Sequence, residues 1–593
     1  MINWGWRTKP RSVLKTIEWL KFFKKYEGEN WNETNGEVSV FKDKPIHPIR
    51  RKYYYYLQQE EETKTIPDIS YYDYLSGKYD KTETESNARQ DKTTFEFFGL
   101  AYVDKNGIIK ITDAGNKILS SDVKGEFFLK QLLKMSYPSL STTYGKDIPN
   151  NQTVFPMEIL IHLLNDLDFI YRYELSFSYL CLDSKTEYDK LLTIIKEFRN
   201  EIDKLDVKKE SICKSIFEEV ARKHFNISDD DDDLGYFLTT SDAFCRALEF
   251  TEIFKTSGRG DLKKIRVSPT HINEFNMLVE KYDFVTISAS DKDEYMEWFG
   301  NLNSTLLPWE NEDEQTSLVR SKIALLNKNI KIISDKYNIT IPLNTSSFEN
   351  KLNSVTSMSD LKILEENIVK TITSLNEEVY TKYLYNDKSI RDEIIEKFDE
   401  IIDGSTDDRA LWLENNTWKS LVSLDGVKEV KRNFSIEEDL SPRYYAPGAG
   451  NTPDMEMRIE DNILIPEVSL MSGAQQWEHE GSSVVEHVMK FIENNKNKNV
   501  LGLFVANSIY SRTLWQFFIL NKTSWVGSKV PIVPLTIEQY KNIIGFMYDN
   551  NIKAIELINL LNNIHLSSLQ IDDYNKWQNS MESIITNWKN QFA

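Results

Sequence analysis

Two carboxylates near the C-terminal end are placed to do chemistry together. Asp454 stands in Thr452-Pro453-Asp454-Met455-Glu456-Met457-Arg458-Ile459, and Glu467 in Asn462-Ile463-Leu464-Ile465-Pro466-Glu467-Val468-Ser469. The polar residues Glu460-Asp461-Asn462 separate two short apolar stretches, a pattern that predicts a β-hairpin. Asp454 enters the first strand and Glu467 leaves the second, so closing the hairpin sets the acids side by side. Two carboxylates held together repel unless a cation neutralises them, and oxygen-only donors suit Mg²⁺. The chemistry such a pair serves is metal-assisted phosphodiester hydrolysis. A second Pro-Asp, Pro67-Asp68 with Glu83 and Glu85 downstream, lies in a polar, tyrosine-rich stretch with no apolar strand leading into it. It is not read as a site.

The surrounding elements must position this pair. Upstream, Asp408 to Leu421 predicts a helix through Trp412, Leu413, Trp418 and Leu421, and it carries Glu414. Downstream, Ser472 to Gln476 leads through Glu480 into an amphipathic helix with Val484, Val485, Val488, Met489, Phe491 and Ile492. Glu480 and His487 are seven residues apart, which on a helix puts them on one face two turns apart. The runs Val500 to Ala506 and Val530 to Leu535 predict buried strands. Thr536 followed by Gln539 predicts a capping box opening another helix. Helix, hairpin, helix, strand, strand, helix is the order of a PD-(D/E)xK nuclease core, a mixed sheet between helices.

The run Ala449-Gly450-Asn451-Thr452-Pro453-Asp454-Met455-Glu456, with Glu467-Val468-Ser469, Ser472-Gly473-Ala474 and Gln476, resembles the AlwI family of type IIS restriction endonucleases and related strand-specific nicking enzymes. Lys9-Pro10-Arg11-Ser12, Ile111 to Lys117, Phe128 to Leu132 and Tyr137-Pro138-Ser139 agree with it at the N-terminal end. The resemblance implies a catalytic cluster of Glu414, Asp454 and Glu467, all three as metal ligands, with Glu480 and His487 nearby. It implies Mg²⁺ as cofactor, with Mn²⁺ able to substitute, and double-stranded DNA as partner. The lysine of the general motif is replaced by Ser469, where the family itself has threonine. The charged Glu-Pro-Val stretch usual before the histidine is here Ser482-Ser483-Val484, and Glu486 replaces a basic residue. With the lysine missing, a second metal or the neutral Gln476 is expected to take its electrostatic role.

The net charge of −20 does not favour DNA binding, since a protein that holds the phosphate backbone must offer cations somewhere. The distribution answers part of this. The first 25 residues contain Arg7, Lys9, Arg11, Lys15, Lys21, Lys24 and Lys25 against Glu18, and Lys255 to Arg266 is a second basic stretch. Neither a secretory leader nor an apolar run of about 18 residues is present, which predicts a cytoplasmic protein with no membrane partner. Cys181, Cys213 and Cys245 lack CxxC spacing and read as reduced, buried thiols; no zinc site is assigned. The aspartate run Asp229 to Asp233 lacks EF-hand spacing and reads as a solvated loop.

The two basic stretches belong to what read as two winged-helix-like units. In the first, a helix from about Ser86 to Leu100 precedes a hairpin whose turn is Asp104-Lys105-Asn106-Gly107, and a helix begins at Asp113. In the second, a helix from about Thr240 to Phe250 precedes strands around Ser257-Gly258-Arg259-Gly260, with a further helix near Pro269. Arg7, Lys9, Arg11, Arg89 and Lys92 are the DNA-binding candidates of the first unit; Arg259, Lys263 and Lys264 are those of the second. Tyr53 to Tyr56, taken as a strand, would point alternately to two faces, one pair into the core.

The expected architecture is therefore multidomain α+β. It comprises winged-helix-like recognition subdomains at 1–150 and 151–275, a helical linker at 276–395, and a restriction-endonuclease-like α/β domain with a mixed sheet at 396–593. Val319, Ile323, Leu326, Ile330 and Ile333 supply the linker's helical periodicity, as do Leu361, Leu364, Ile368 and Ile372, and Gly404-Ser405-Thr406 marks its end. Such a protein would cut DNA at a fixed distance outside an asymmetric site. It would act as a nickase, or as a double-strand cutter through a homodimer or a small nuclease subunit. The alternative is a non-catalytic winged-helix regulator with a decayed nuclease fold.

Overall fold

The computed structural model describes residues 6–10, 12–36, 45–60, 84–120, 124–142, 153–178, 187–205, 210–225, 233–257, 262–404, 406, 409–442, 452–524, 527 and 529–592. Arg11, Arg259, Cys181, Asp229 to Asp232, the turn residues 258–260 and Ser405 lie outside these residues. Packing divides the chain into two units, residues 1–321 with 352–362 and residues 322–351 with 363–593. No described helix is long and apolar enough to cross a membrane.

The first unit opens with helices α1 (Val13–Lys24) and α2 (Pro48–Glu60). The four tyrosines lie on α2, a correction to the strand expected for them. Pro48 at its first position pre-sets helical φ, and only Tyr53 of the four is fully buried. Helix α3 (Thr84–Phe97) leads into a hairpin of β1 (Ala101–Val103) and β2 (Ile109–Ile111), followed by α4 (Asp113–Ser120) and α5 (Lys124–Lys134). The Asp104 carboxylate accepts from the N–H groups of Asn106 and Ile108, and Gly107 takes φ +84°, which closes the expected turn.

Next come α6 (Pro156–Leu167), β3 (Phe169–Tyr171), α7 (Arg172–Ser178), α8 (Tyr188–Ile202), α9 (Glu210–Phe225) and α10 (Asp233–Glu249). Strands β4 (Phe254–Ser257) and β5 (Lys264–Val267) and helix α11 (Ile272–Lys281) complete this part. Strand β3 was not anticipated; it joins an antiparallel sheet of order β3-β5-β4. Ile170, Phe254 and Ile265 are wholly buried beneath that sheet. Cys213 and Cys245 are buried, as expected.

Helix α12 (Lys292–Phe299) ends against the first hairpin. Gly300 lies so close to Thr112 that a Cβ there would meet it at 2.4 Å, and its carbonyl accepts from Ala114 N–H at 2.8 Å. The Gln131 amide donates to Phe299 O at 2.9 Å, and the Lys134 ammonium to Asn301 O at 2.9 Å. Desolvation lowers the Lys134 pKa to about 7. Residues 292–302 of the expected linker are thus tied by buried polar bonds to α4 and α5. Helices α13 (Glu312–Tyr337) and α14 (Met358–Val379) follow, with Val319, Ile323, Leu326, Leu361, Leu364, Ile368 and Ile372 buried at the expected spacing.

The second unit is built on a five-stranded mixed sheet of order β10-β9-β8-β7-β6. Helices α15 (Lys388–Asp403) and α16 (Arg409–Val422) precede β6 (Glu429–Arg432), β7 (Met455–Ile459) and β8 (Asn462–Ser469). These three strands are antiparallel, with Met457 opposite Leu464. After α17 (Gly481–Asn494), β9 (Asn499–Ala506) adds in parallel to β8. Then α18 (Ser511–Lys522) crosses over to the parallel β10 (Ile532–Thr536). Helices α19 (Ile537–Asp549), α20 (Ala554–Gln570) and α21 (Tyr574–Lys589) close the unit, α19 opening on the expected Thr536–Gln539 capping box.

Central strands of such a sheet are buried on both faces, so they read as continuous apolar runs. Leu464, Leu501, Leu503 and Val505 enter one core with Trp418 and Tyr540, while Ile463, Ile465, Val500 and Phe504 enter the other with Val484, Val488 and Phe517.

Candidate active site

The hairpin does what its sequence requires. Met455, Met457 and Ile459 of β7 face the first core, so Asp454 projects to the opposite face; on β8, Ile463 and Ile465 project to that same face, and Glu467 with them. Asp454 is held from three directions. Its carboxylate accepts from Val468 N–H at 2.9 Å, its carbonyl accepts from Asn433 N–H at 2.9 Å, and the Asn433 amide donates to Pro453 O at 2.8 Å. Asn433 went unnoticed in the sequence; it lies 20 residues before Pro453 and belongs to no local motif.

Glu467 is 5% exposed, buried more deeply than an unpaired carboxylate tolerates. It interacts with both the backbone and the carboxyl group of Asp454. Its Oε1 contacts His487 Nδ1, on α17, at 2.6 Å. Glu414 on α16 and Glu480, the residue before α17, complete the group: Glu414 feels the charges of Asp454 and Glu480, and Glu467 those of Glu480 and Glu414. The structure therefore brings the four acids and the histidine named from the sequence to one place. Residues scattered over 74 positions meet because α16, the hairpin and the start of α17 all end at one rim of the sheet.

Electrostatics mark this rim as unfinished. Burial, then Asp454 and Glu480, push Glu414 up to about 8. Burial and the Glu480 and Glu414 charges push Glu467 up to about 8 as well. Burial, then Glu467, raises Asp454 well above the carboxylate range. Burial lowers the His487 pKa, so the His487–Glu467 contact joins two groups driven toward their neutral forms. Glu456, one position along β7 on the same face, shows the ordinary alternative: Lys431 and Arg458 pair with it at 3.0 and 3.4 Å. No lysine or arginine among the described residues pairs with Glu414, Asp454 or Glu467.

Hard oxygen donors with unneutralised charge fit a divalent cation. Glu414, Asp454 and Glu467 are the residues that could hold one. As the side chains stand, no three His, Cys, Asp or Glu among the described residues converge closely enough to enclose an ion. Neutralising these acids would require them to draw inward.

Gln476 does not take the missing lysine's place. It is wholly buried, its amide donates to Met471 O at 2.9 Å and Ser508 O at 2.7 Å, and its oxygen accepts from Tyr510 N–H at 2.8 Å. All its capacity goes into tying the loop after β8 to the loop after β9. Ser469 is equally committed, its hydroxyl accepting from Met471 N–H at 3.0 Å. Between Gln476 and Glu480 the backbone forms a single π turn.

The nucleic-acid candidates fall into two groups. Arg7, Lys9, Arg89 and Lys92 gather along α3. Arg7 donates to Gln90 O at 3.0 Å, Lys9 to the Asn87 side chain at 3.3 Å, and Arg89 is exposed. Lys92 is half-buried and pairs with Glu96 at 2.9 Å, a bond that holds it to the domain. Lys263 and Lys264 lie at the start of β5, both half-exposed.

A family model described as AlwI restriction endonuclease matches residues 97–543. Among solved structures, the small subunit of the heterodimeric restriction endonuclease R.BspD6I is 21% identical, covering 32% of this chain and 98% of its own, with a TM-score of 0.28. The BpuJ1 endonuclease binding domain, solved with pyrene- and phenanthrene-modified DNA, is 14% identical, covering 51% of this chain and 96% of its own, also with a TM-score of 0.28. No curated protein matches.

Proposed function

We propose a function from one premise: the chain belongs to the AlwI restriction endonuclease family. It is a type IIS enzyme that hydrolyses DNA phosphodiester bonds at a fixed distance to one side of an asymmetric site, with Mg²⁺ as cofactor and Mn²⁺ able to substitute. The observation that carries this reading is the cluster of Glu414, Asp454 and Glu467. Three carboxylates gather at one rim with raised pKa values and no lysine or arginine partner among the described residues. Strongly perturbed acids in one cluster are the electrostatic signature of a functional site.

Asp454, Glu467 and Glu414 would hold the ion. Bound there, it supplies positive charge to the scissile phosphate and acidifies the attacking water. The protein's own contribution is orientation. Val468 N–H and Asn433 fix Asp454, and His487 fixes Glu467. His487, kept neutral by burial, has its second ring nitrogen left to take up or pass on a proton, and Glu480 is near enough to orient water.

Recognition falls to the first unit. Helix α6, strand β3, helix α7 and then, after the two further helices α8 and α9, helix α10 and the β4–β5 hairpin keep the order of a winged helix with an insertion, which supports α10 as the helix that enters the major groove. The first hairpin with α3 and α4 supports a second such unit. A non-catalytic regulator with a decayed fold gives no reason for keeping one buried and two half-buried acids together without a lysine or arginine partner among the described residues.

The test is Mg²⁺-dependent relaxation of supercoiled plasmid. Asp454→Ala and Glu467→Ala should each abolish cutting while leaving duplex binding nearly intact. Normal turnover in both variants would reject the assignment.

A further inference from the structure

The three-stranded sheet of the first unit has a face that its hairpin turn alone does not account for. The register pairs Phe169 with Arg266, Ile170 with Ile265 and Tyr171 with Lys264. Ile170 and Ile265 point inward and are wholly buried, so Phe169, Tyr171, Lys264 and Arg266 share the opposite face. Lys255 of β4, opposite Arg266, lies on that face too.

Three cations converge there on one ring. The Arg199 guanidinium stands 4.4 Å from the Phe169 centroid, the Lys264 ammonium 4.5 Å and the Arg266 guanidinium 5.4 Å. Arg199 is spoken for: it bonds both oxygens of the buried Glu174, at 2.6 and 2.8 Å. Among the described residues, neither Lys264 nor Arg266 makes an ion pair. An aromatic face holds cations in place, but it cannot neutralise several at once, and like charges so close repel. The uncompensated pair therefore favours an anion. Two residues apart on a strand, Lys264 and Arg266 are separated by about 6.8 Å along its axis. That matches the axial rise of about two phosphates on one DNA strand, roughly 3.4 Å each. A linear polyanion fits this spacing better than a single small anion.

We infer that the Phe169–Lys264–Arg266 face of the sheet is a docking site for the DNA phosphate backbone, one that positions the duplex without reading its sequence. The inference rests on the first unit being the DNA-binding part, and it extends the contact from the hairpin turn to the sheet itself.

The experiment measures binding of the full-length protein, without divalent cation, to a fluorescent duplex of arbitrary sequence over a range of KCl concentrations. Each phosphate neutralised contributes about 0.9 to the slope of log affinity against log salt. The Lys264→Gln/Arg266→Gln variant should lose about 1.8 from that slope and bind tens of fold more weakly at ~0.1 M KCl. The charge-conserving variant Lys264→Arg/Arg266→Lys should keep the wild-type slope, as should Lys328→Gln, which removes an exposed lysine elsewhere. An unchanged slope in the double glutamine variant, while wild type binds with a clear salt dependence, overturns the backbone site and leaves the DNA reading standing. An equal loss in Lys328→Gln would reduce the effect to net charge and also overturn it. Wild type showing no salt-dependent duplex binding would overturn the site and the DNA reading together.

Discussion

At the scale of single residues, the acids of the rim set the behaviour of the second unit with pH. Glu414 and Glu467 titrate near 8 in the folded chain against an ordinary 4.5. A carboxyl group whose folded pKa is raised binds its proton more tightly when folded. The stability it contributes is full below about pH 4.5 and is lost as pH rises through 8. In EDTA the protein should therefore melt at progressively lower temperature between pH 5 and 8.5, and Mg²⁺ should recover much of the loss at the upper end. Glu414→Gln should remove part of the penalty, stabilising the metal-free protein at pH 8 by on the order of 1–3 kcal/mol while abolishing cutting. Calorimetry with and without Mg²⁺ checks both; a metal-free melting temperature independent of pH would contradict the strained-carboxylate picture. These residues were legible because their relation is local: a hairpin pairs Asp454 with Glu467, and one helical face relates Glu480 to His487. What holds them was not. Asn433, Ser508 and Tyr510 act across 20 to 34 residues and carry no pattern of their own.

At the scale of elements, the misreadings have physical causes. Tyr53 to Tyr56 suggest a strand because aromatics favour pleated surfaces, yet Pro48 at a helix start and the single buried ring decide for α2. Strand β3, three residues long, is too short to show alternation. Helix α18 follows from topology: β9 and β10 are parallel, and parallel neighbours need a crossover, which α18 provides. The capping box at Thr536 and the Asn106-Gly107 turn were read directly, since both are chemistry confined to four residues. Gln476 belongs to this scale, as a brace between two loops. Gln476→Ala would leave the Tyr510 N–H and two carbonyls without their partner, at about 1–3 kcal/mol for each group kept from water. It should lower the melting temperature and the rate of DNA cutting together, without altering the Mg²⁺ dependence proposed for that cutting. Gln476→Lys should fare no better. A lysine variant more active than wild type would restore the electrostatic role that the buried amide argues against.

At the scale of the whole molecule, the described residues hold one such carboxylate rim, and that limits what one chain can do. A single centre can act on only one scissile phosphate at a time. A monomer on an asymmetric site should therefore nick a preferred strand, and linear product should rise more than linearly with enzyme concentration or need an added subunit. Nicked and linear plasmid followed across a dilution series decides this. Linear product at a rate first order in a protein shown to stay monomeric, with no nicked intermediate, would refute it. Composition alone did not announce this protein: a net charge of −20 points away from nucleic acid, and only the local clusters of cations along α3 and on the sheet reopen the question.

The π turn from Gln476 to Glu480 sets a counting rule for this stretch. Gln476 is anchored to the loop after β9, and His487 in the middle of α17 to Glu467, so the stretch from Gln476 to His487 is clamped at both ends. An ordinary helix advances about 100° per residue, and the wider turn takes up the one residue that would otherwise put the two clamps out of phase. The stretch should then forgive changes of spelling but not of length. Alanine at the exposed Glu478 or His479 should alter DNA cutting by no more than about two-fold. Deleting either residue should silence the enzyme by swinging Glu480 and His487 away from the rim or tearing Gln476 from its loops, and reinserting any single residue there should bring activity back.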